Sequence, residues 1–331
     1  MTEPSSEPAL LEAARGDDGA AFARLVEPYR AELHAHCYRM LGSVQDAEDA
    51  LQDALLGAWR GLAGFEGRGS LRAWLYRITT NACLRLLRRR PRRLLSADYG
   101  PAFDQVDDLG ELVTKPVWVE PYPTPEGRWE LRESVELAFV AALQHLPATQ
   151  RAVLILREVL GFSAAEVAGI LDTSPAAVNS ALQRARRAVD ERVPHPSQQA
   201  ELDALGPDGR RELVAAFVAA WERADVAALL ELLADDARFT MPPLPAWFSG
   251  RADIGRFLAG RMFATPWRLV PISANGQLAF ACYQGRQGGQ GAGRFRLGAI
   301  NVVGLRGGRV AELAGFIDPA LHRHFGLPEE R

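Results

Sequence analysis

An acidic stretch studded with prolines interrupts this chain near its middle and settles the domain count before any fold is assigned. Residues 93–132 hold Pro101, Pro116, Pro121, Pro123 and Pro125 and show little periodicity. No helix or strand of useful length can run through them, so they read as an extended or irregular acidic linker. Within it, Pro116-Val117-Trp118-Val119-Glu120-Pro121-Tyr122-Pro123 is apolar enough to lie on a surface. A second break, Pro194-His195-Pro196 followed by polar residues up to Pro207, gives a short linker at 195–206. Three stretches with core-forming patterns remain, at 18–92, 133–194 and 207–327, behind a flexible N-terminus at 1–17. A length of 331 residues suits such a division.

Several classes of protein are excluded or disfavoured. No apolar run approaches the roughly 18–20 residues of a membrane span. The start, Met1-Thr2-Glu3-Pro4, has no basic or apolar region of a secretory signal. Cys37, Cys83 and Cys282 are odd in number, widely spaced and free of any C-x-x-C pair. They suggest neither a disulfide framework nor zinc, and a reduced cytoplasm is expected.

Charge is unevenly spread. Between Arg60 and Arg93 stand ten arginines against one acid, Glu66, whereas 98–136 carries ten acids against Lys115, Arg128 and Arg132. A basic block followed by an acidic one matters more than the net charge of −3, because the local field decides polyanion binding.

Residues 18–92 read as helical. Ala47, Ala50, Leu51, Ala54, Leu55, Ala58, Trp59 and Leu62 form an unbroken helical stripe behind a capping Ser43. The acidic face Asp46, Glu48, Asp49, Gln52, Asp53 cannot face DNA; it meets solvent or a basic partner. After the loop 64–69, Ser70 caps a helix that stops before Pro91, with the stripe Leu71, Leu75, Ile78, Ala82, Leu86. Beside it lie Trp74, Tyr76, Arg77, Asn81, Arg85 and Arg88, charge for phosphates and aromatic planes for bases, or a solvated basic face. His34, His36 and Cys37 invite a metal reading, but residues two apart on a helix diverge, so a structural role is favoured.

Residues 133–194 are helical again. Ser163-Ala-Ala-Glu166 has capping-box spacing, and Ser174-Pro175 places a capping hydroxyl before a proline at the first helical position. A short helix (164–171), a turn and a longer helix (175–192) make a helix-turn-helix with Val167, Leu171, Val178 and Leu182 as its core. Ser174, Ala177, Asn179, Ser180, Gln183 and Arg184 would face base edges and Arg187 a phosphate. The bland alternative is a helical hairpin with a solvated basic face.

From 207 two amphipathic helices precede strand-like runs at 237–241, 267–274, 277–285, 293–304 and 309–317, with a helix at 251–263. Asn275-Gly276 and Gly307-Gly308 mark tight hairpins. The expectation is an α+β layer with helices on one curved antiparallel sheet. No G-x-S-x-G, phosphate loop or metal-ligand cluster is present. Asp225, Asp235, Asp236 and Asp318 read as caps and turn residues.

These residues carry a resemblance. Asp46-Ala47-Glu48-Asp49-Ala50-Leu51-Gln52-Asp53, Phe65-Glu66-Gly67, Trp74-Leu75-Tyr76-Arg77-Ile78 and Asn81 resemble the promoter-melting domain of bacterial sigma-70-type factors of the extracytoplasmic-function group. The 134–194 unit is similar to that group's −35-reading domain. Glu32-Leu-His-Ala-His-Cys-Tyr-Arg-Met-Leu-Gly-Ser43, with Met241-Pro-Pro-Leu-Pro245, Trp247, Gly250-Arg251 and Asn275-Gly276-Gln277 before Ala279-Phe280, resembles a subgroup bearing a fused SnoaL-like C-terminal domain. Typical short members end near residue 195.

The resemblance implies a multidomain fold: two all-α sigma domains, 18–92 and 133–194, then an α+β SnoaL-like cone at 207–327. It implies a non-enzymatic transcription initiation factor without cofactor or metal, whose partners are core RNA polymerase and promoter DNA. Asp49, Gln52 and Asp53 would grip the β′ clamp helices, and the second sigma domain the β flap. Phe65, Arg68, Ser70, Trp74, Arg77, Asn81, Arg85 and Arg88 would hold the −10 strand, a flipped base resting in loop 64–70. The acidic linker would thread the RNA-exit side. The SnoaL-like domain would contact the sigma domains and modulate them, with no separate anti-sigma factor required. Trp221, Phe239, Met241, Trp247, Phe257, Phe280, Tyr283 and Phe316 would line any pocket of its cone, as a ligand sensor or small-molecule enzyme would need, or simply form its core. An enzyme with helical appendages and a repressor-type helix-turn-helix protein are the competing classes.

Overall fold

The computed structural model describes residues 6–67, 69–104, 108–113, 115, 117–124, 135–193, 196–285 and 294–331. It divides into two compact units, one of residues 1–92 with 142–191 and the other of 93–141 with 192–331.

The first unit is helical. Helix α1 spans Glu7–Arg15, α2 Gly19–Leu41, α3 Val44–Gly61 and α4 Leu71–Leu87. Part of the stretch expected as a flexible N-terminus is therefore ordered: Ser6 and Pro8 open α1, Glu7 sits in its first turn, and Ala14 is buried. The Asp18 carboxylate caps α2 through the amides of Ala20 and Ala21, and Ser43 and Ser70 cap α3 and α4 through Asp46 and Ala73. Gly42 ends α2 in the left-handed region, as helix C-termini favour.

Helices α7 (Ala148–Leu154), α8 (Ala164–Leu171) and α9 (Pro175–Asp190) complete this unit, and one π turn, Ile155–Val159, extends α7. Their core joins that of α1–α4. Arg151, wholly enclosed, donates to the Met40 carbonyl at the end of α2, to Gln144 Oε1 at 2.6 Å and to the carbonyls of Gln144 and Leu146. It supplies the cation that a helix C-terminus favours, and burial pulls its pKa down to about 10.

Helix α8 packs on α4. The Phe162 ring meets Tyr76 edge-on at 5.2 Å, and the Arg72 guanidinium lies 5.0 Å from the Tyr76 ring and 4.7 Å from Phe162. Glu32 holds Arg72 by a bidentate pair at 3.0 and 3.1 Å. Tyr76, expected beside the DNA strand, is instead fully buried, because α4 is covered on two sides.

In the second unit, β1 (Leu233–Thr240), β2 (Trp247–Ser249), β3 (Trp267–Ala274), β4 (Gln277–Gly285), β5 (Phe295–Arg306) and β6 (Arg309–Phe316) form one sheet ordered β2-β1-β6-β5-β4-β3. The sheet is not wholly antiparallel: β1 and β6 run parallel, since the chain leaves β1, traverses the whole sheet and returns beside it. β2 was not expected; it is three residues long and follows three prolines. Helices α10 (Gln198–Glu222), α11 (Val226–Leu232) and α12 (Arg251–Gly260) bury the inner face, α10 kinking at Gly206 before Pro207. Phe325 and Leu327, after the short α13 (Pro319–His322), cover Ala281, Tyr283, Leu297 and Ile300 on the outer face.

The linker is not loose where it is described. Leu94 bridges to Trp118, and Arg93, buried, binds Glu120 at 2.8 Å and the Trp118 carbonyl at 3.0 Å. A one-turn helix α5 (Ser96–Tyr99) follows. The chain then passes the edge strand β2: Trp247 Nε1 donates to the Gly100 carbonyl and Phe103 N–H to the Trp247 carbonyl, both at 2.8 Å. Phe103 and Leu109 pack on the inner aromatic core. The far end is bolted to the β3–β4 hairpin by Tyr122 and Thr124. Helix α6 (Leu137–Gln144) carries the chain onward, its first amide donating to Gln277 Oε1 at 2.8 Å.

Candidate nucleic-acid interface

Ser70 fixes the phase of α4, and the phase decides which side chains reach solvent. Arg77, Asn81, Arg85 and Arg88 are all exposed and lie on one side of the helix, with Trp74 half-buried one turn earlier. Upstream, a turn of 3-10 helix, Leu62–Gly64, leads into the loop. The Phe65 and Trp74 rings, 5.1 Å apart, wall a groove of about 480 Å³ that also takes in Ser70 and Arg77 on one side and Gly169 and Ile170 of α8 on the other. Arg68 lies outside the described residues.

Several arginines of the basic block are engaged within the protein. Arg72 is held by Glu32, Arg90 pairs with buried Asp46 at 3.1 Å, Arg92 contacts His145, and Arg93 is buried against Glu120. Asp46 is thereby removed from the acidic face. Burial drives the His36 imidazole down to about 3; its Nε2 meets Thr80 Oγ1 at 2.9 Å. Among the described residues no cluster of His, Cys, Asp and Glu could hold a metal ion.

In the helix-turn-helix, Ser163 and Glu166 form the capping box, and the Ser174 hydroxyl accepts from Ala177 N–H at 3.2 Å. Val167, Val178 and Leu182 are buried, Leu171 half-buried. Ser174, Ala177, Asn179, Ser180, Gln183, Arg184 and Arg187 are exposed along α9. Arg186 binds Glu158 at 2.6 Å and so ties the helix to the preceding turn.

On α3, Asp49, Gln52 and Asp53 are exposed. Beside them the α2–α3 surface opens an apolar groove of about 610 Å³, walled by Phe22, Leu55, Leu56 and Trp59 with Glu48 and Gln52 at its rim. Leu56 is 47% exposed. The sequence expectation for this surface covered only Asp49, Gln52 and Asp53; the signal for its apolar part is Leu56, a leucine outside the apolar stripe of its own helix.

The residues expected to line a pocket of the C-terminal domain lie in three places. Trp221, Phe239, Met241, Phe257 and Phe280 share one core, linked by ring contacts from Phe280 through Phe217, Trp221 and Phe239 to Phe257. Trp247, half-buried, stands on the edge strand. Tyr283 belongs to the outer cluster, and Phe316 pairs in register with Ile300 of that same cluster. These two point away from the interior. Asp225 and Asp318 cap helices, and Asp235 and Asp236 bind Arg251 and Arg306.

Comparison with known proteins agrees with this layout. Residues 25–93 match Sigma-70 region 2, 136–189 match Sigma-70 region 4 and 214–313 match the SnoaL-like domain. The ECF RNA polymerase sigma factor SigG of Mycobacterium tuberculosis is 42% identical over 328 residues, which cover 95% of this chain and 85% of SigG. The chain belongs to the ECF sigma factors. The RNA polymerase sigma-H factor of Pseudomonas aeruginosa is 31% identical over 191 residues, 58% of this chain and 95% of that protein. In fold, the extracytoplasmic function sigma factor SigJ of M. tuberculosis matches 92% of this chain and all of its own, with a TM-score of 0.59 at 24% identity. As an ECF sigma factor, the protein joins RNA polymerase and directs it to promoters to initiate transcription.

Proposed function

We propose that Arg77, Asn81, Arg85 and Arg88 hold the −10 non-template strand, with a flipped base between Phe65 and Trp74 over Ser70. Arg68 is assigned to the same strand. The exposed stripe of three arginines and one asparagine beside that aromatic groove carries this reading: phosphates need cations, and an unstacked base needs a plane to stack on. Helix α9 reads the −35 duplex through Ser174, Ala177, Asn179, Ser180, Gln183 and Arg184, with Arg187 on a phosphate. Asp49, Gln52 and Asp53 grip the polymerase β′ clamp helices, and Leu56 and Trp59 supply the buried anchor that such interfaces need. The 133–194 domain meets the β flap. The protein acts in the cytoplasm and has no catalytic role.

The 207–327 domain modulates these activities without a separate anti-sigma factor. Its support is the linker. A segment that packs Phe103 and Leu109 on the C-terminal core and ties its far end to Asn275 cannot at the same time thread the RNA-exit side of polymerase. Release of the linker thus couples the C-terminal domain to initiation. A ligand-sensing role has one observation in its favour. The indole N–H of Trp221, 2% exposed, has no hydrogen-bond partner among the described residues, and an apolar ligand with one acceptor would satisfy it.

Reconstitution with core polymerase and mapping of transcript starts tests the reading. The full chain should copurify with core enzyme and create new starts. Deletion of 205–331 should change the level of transcription while preserving the starts. A chain that never joins core enzyme would sink the assignment.

A further inference from the structure

Helix α1 precedes both sigma matches, yet it reaches the −10 loop. It is fastened to α2 at two places: Ala14 is buried, and Tyr29 OH donates to Glu7 Oε2 at 3.1 Å. Its last residue, Arg15, is oriented by Glu12, which accepts from Nη1 at 2.6 Å. The other guanidinium nitrogen, Nη2, donates to the carbonyl of Phe65, fifty positions along the chain.

Phe65 is the pillar of the loop. Its N–H donates to the Leu62 carbonyl at 3.1 Å, its ring lies 5.1 Å from Trp74, and its carbonyl is taken by Arg15. Downstream, Gly67 stands at φ +72° and the next described anchor is the Ser70 cap on α4. The described backbone at 65–67 therefore takes its starting direction from Phe65. A loop meant to receive an extruded base gains from a fixed direction, because ordering it at the moment of capture costs conformational entropy.

We propose that Arg15 is a positioning residue for promoter melting: it braces the Phe65 carbonyl and so presets the −10 loop. This rests on the assignment of that loop to the flipped base. The brace comes from a helix that precedes the α2–α4 bundle, so the N-terminal segment tunes melting while leaving the polymerase-facing side of α3 untouched.

The test uses full-length chain with Arg15→Ala, Arg15→Lys and a deletion of residues 1–15. In free protein, amide hydrogen exchange over 62–70 should rise several-fold in Arg15→Ala and in the deletion, and return toward the parent value in Arg15→Lys. With core polymerase at saturation, permanganate reactivity of −10 thymines should appear about five- to tenfold more slowly in Arg15→Ala, with core affinity unchanged. The salt slope of promoter binding should also stay unchanged; a slope lower by about one would make Arg15 a phosphate contact and overturn the brace. Unaltered exchange overturns it too. Raised exchange with normal melting refutes the role of Arg15 in melting; the loop assignment itself falls only if Trp74→Ala, which removes one wall of the groove, also melts normally.

Discussion

Tyr122 and Asn275 lie 153 positions apart and are joined at both ends of a reciprocal pair: Tyr122 N–H donates to Asn275 Oδ1 at 2.9 Å, and Asn275 N–H to the Tyr122 carbonyl at 2.8 Å. Asn275 Nδ2 also donates to the Val135 carbonyl at 2.7 Å, and the residue is wholly buried at φ +54°. One side chain thus clasps both ends of 123–134 and tolerates the left-handed turn position that favours Asn or Gly.

Asn275→Ala should therefore free the linker. It strands the Tyr122 amide and the Val135 carbonyl in a buried site, at a cost of about 2–4 kcal/mol in the C-terminal unit. Limited proteolysis should show new cleavage between 96 and 124, and transcription should shift toward that of the chain lacking 205–331. A linker as protease-resistant as the parent's would contradict the coupling.

Phe162 sits between the two sigma halves, and its contacts imply a movement. The −35 and −10 elements are named for positions about 25 base pairs apart, on the order of 80 Å of duplex at about 3.4 Å per pair. Helices α4 and α8 touch, and Gly169 and Ile170 of α8 line the groove beside Phe65 and Trp74 that is proposed to take the −10 base. The halves must separate when both elements are bound. All three native cysteines are buried, so cysteines placed at exposed Ala63 and Thr173 would carry donor and acceptor dyes alone. Energy transfer should be high in free chain and fall on a promoter complex. Phe162→Ala, which removes a buried ring and its contacts with Tyr76 and Arg72, should lower it in free chain and cost about 3–5 kcal/mol of stability. Equal transfer in all three states would count against a closed resting form.

Local signals were legible in the sequence. Ser43, Ser70, Ser163 and Ser174 cap the helices expected of them, and Asn275-Gly276 makes its hairpin, because caps and two-residue turns depend on neighbours in the chain. That Arg77, Asn81, Arg85 and Arg88 are exposed has the same reason: once the cap sets the phase, the exposed face follows. What depends on distant partners was not legible. Nothing near Tyr76 or Arg72 announces that Phe162 will cover them, and nothing in the order of strands makes β6 return parallel to β1. The linker's acids and prolines suggested a loose tether, but its apolar Phe103, Leu109 and Trp118 decided where it lies.

His36 predicts a pH dependence. Its folded-state pKa of about 3 lies below the ordinary 6.5, because burial first and Arg39 second disfavour the charged ring. The unfolded chain takes up a proton below pH 6.5 and the folded chain does not, so stability is full above 6.5 and is lost as pH falls toward 3. The loss approaches about 1.4 kcal/mol per pH unit. Urea unfolding of the helical unit at pH 7 and at pH 5.5 should differ by about 1 kcal/mol more in the parent than in His36→Gln. Identical differences would mean that the ring titrates in the fold. His322, also lowered by burial, lies in the other unit and is common to both proteins.

Asn81 and Arg187 are proposed for separate stretches of promoter, and their losses should be told apart by assay. Asn81 is exposed at the centre of the α4 stripe and Arg187 far along α9; in the proposed roles the amide would pair with the edge of an unstacked base and the guanidinium with a phosphate of intact duplex. Asn81→Ala should slow open-complex formation more than tenfold while core polymerase binding stays within twofold, since a lost base contact of about 1–3 kcal/mol acts only once strands part. Arg187→Ala should weaken closed-complex binding on all promoters alike and lower the salt slope by about 0.9, one phosphate's worth of released counterion. Loss of core binding in Asn81→Ala would move that residue to the polymerase side, and an unchanged slope in Arg187→Ala would take the guanidinium off the DNA.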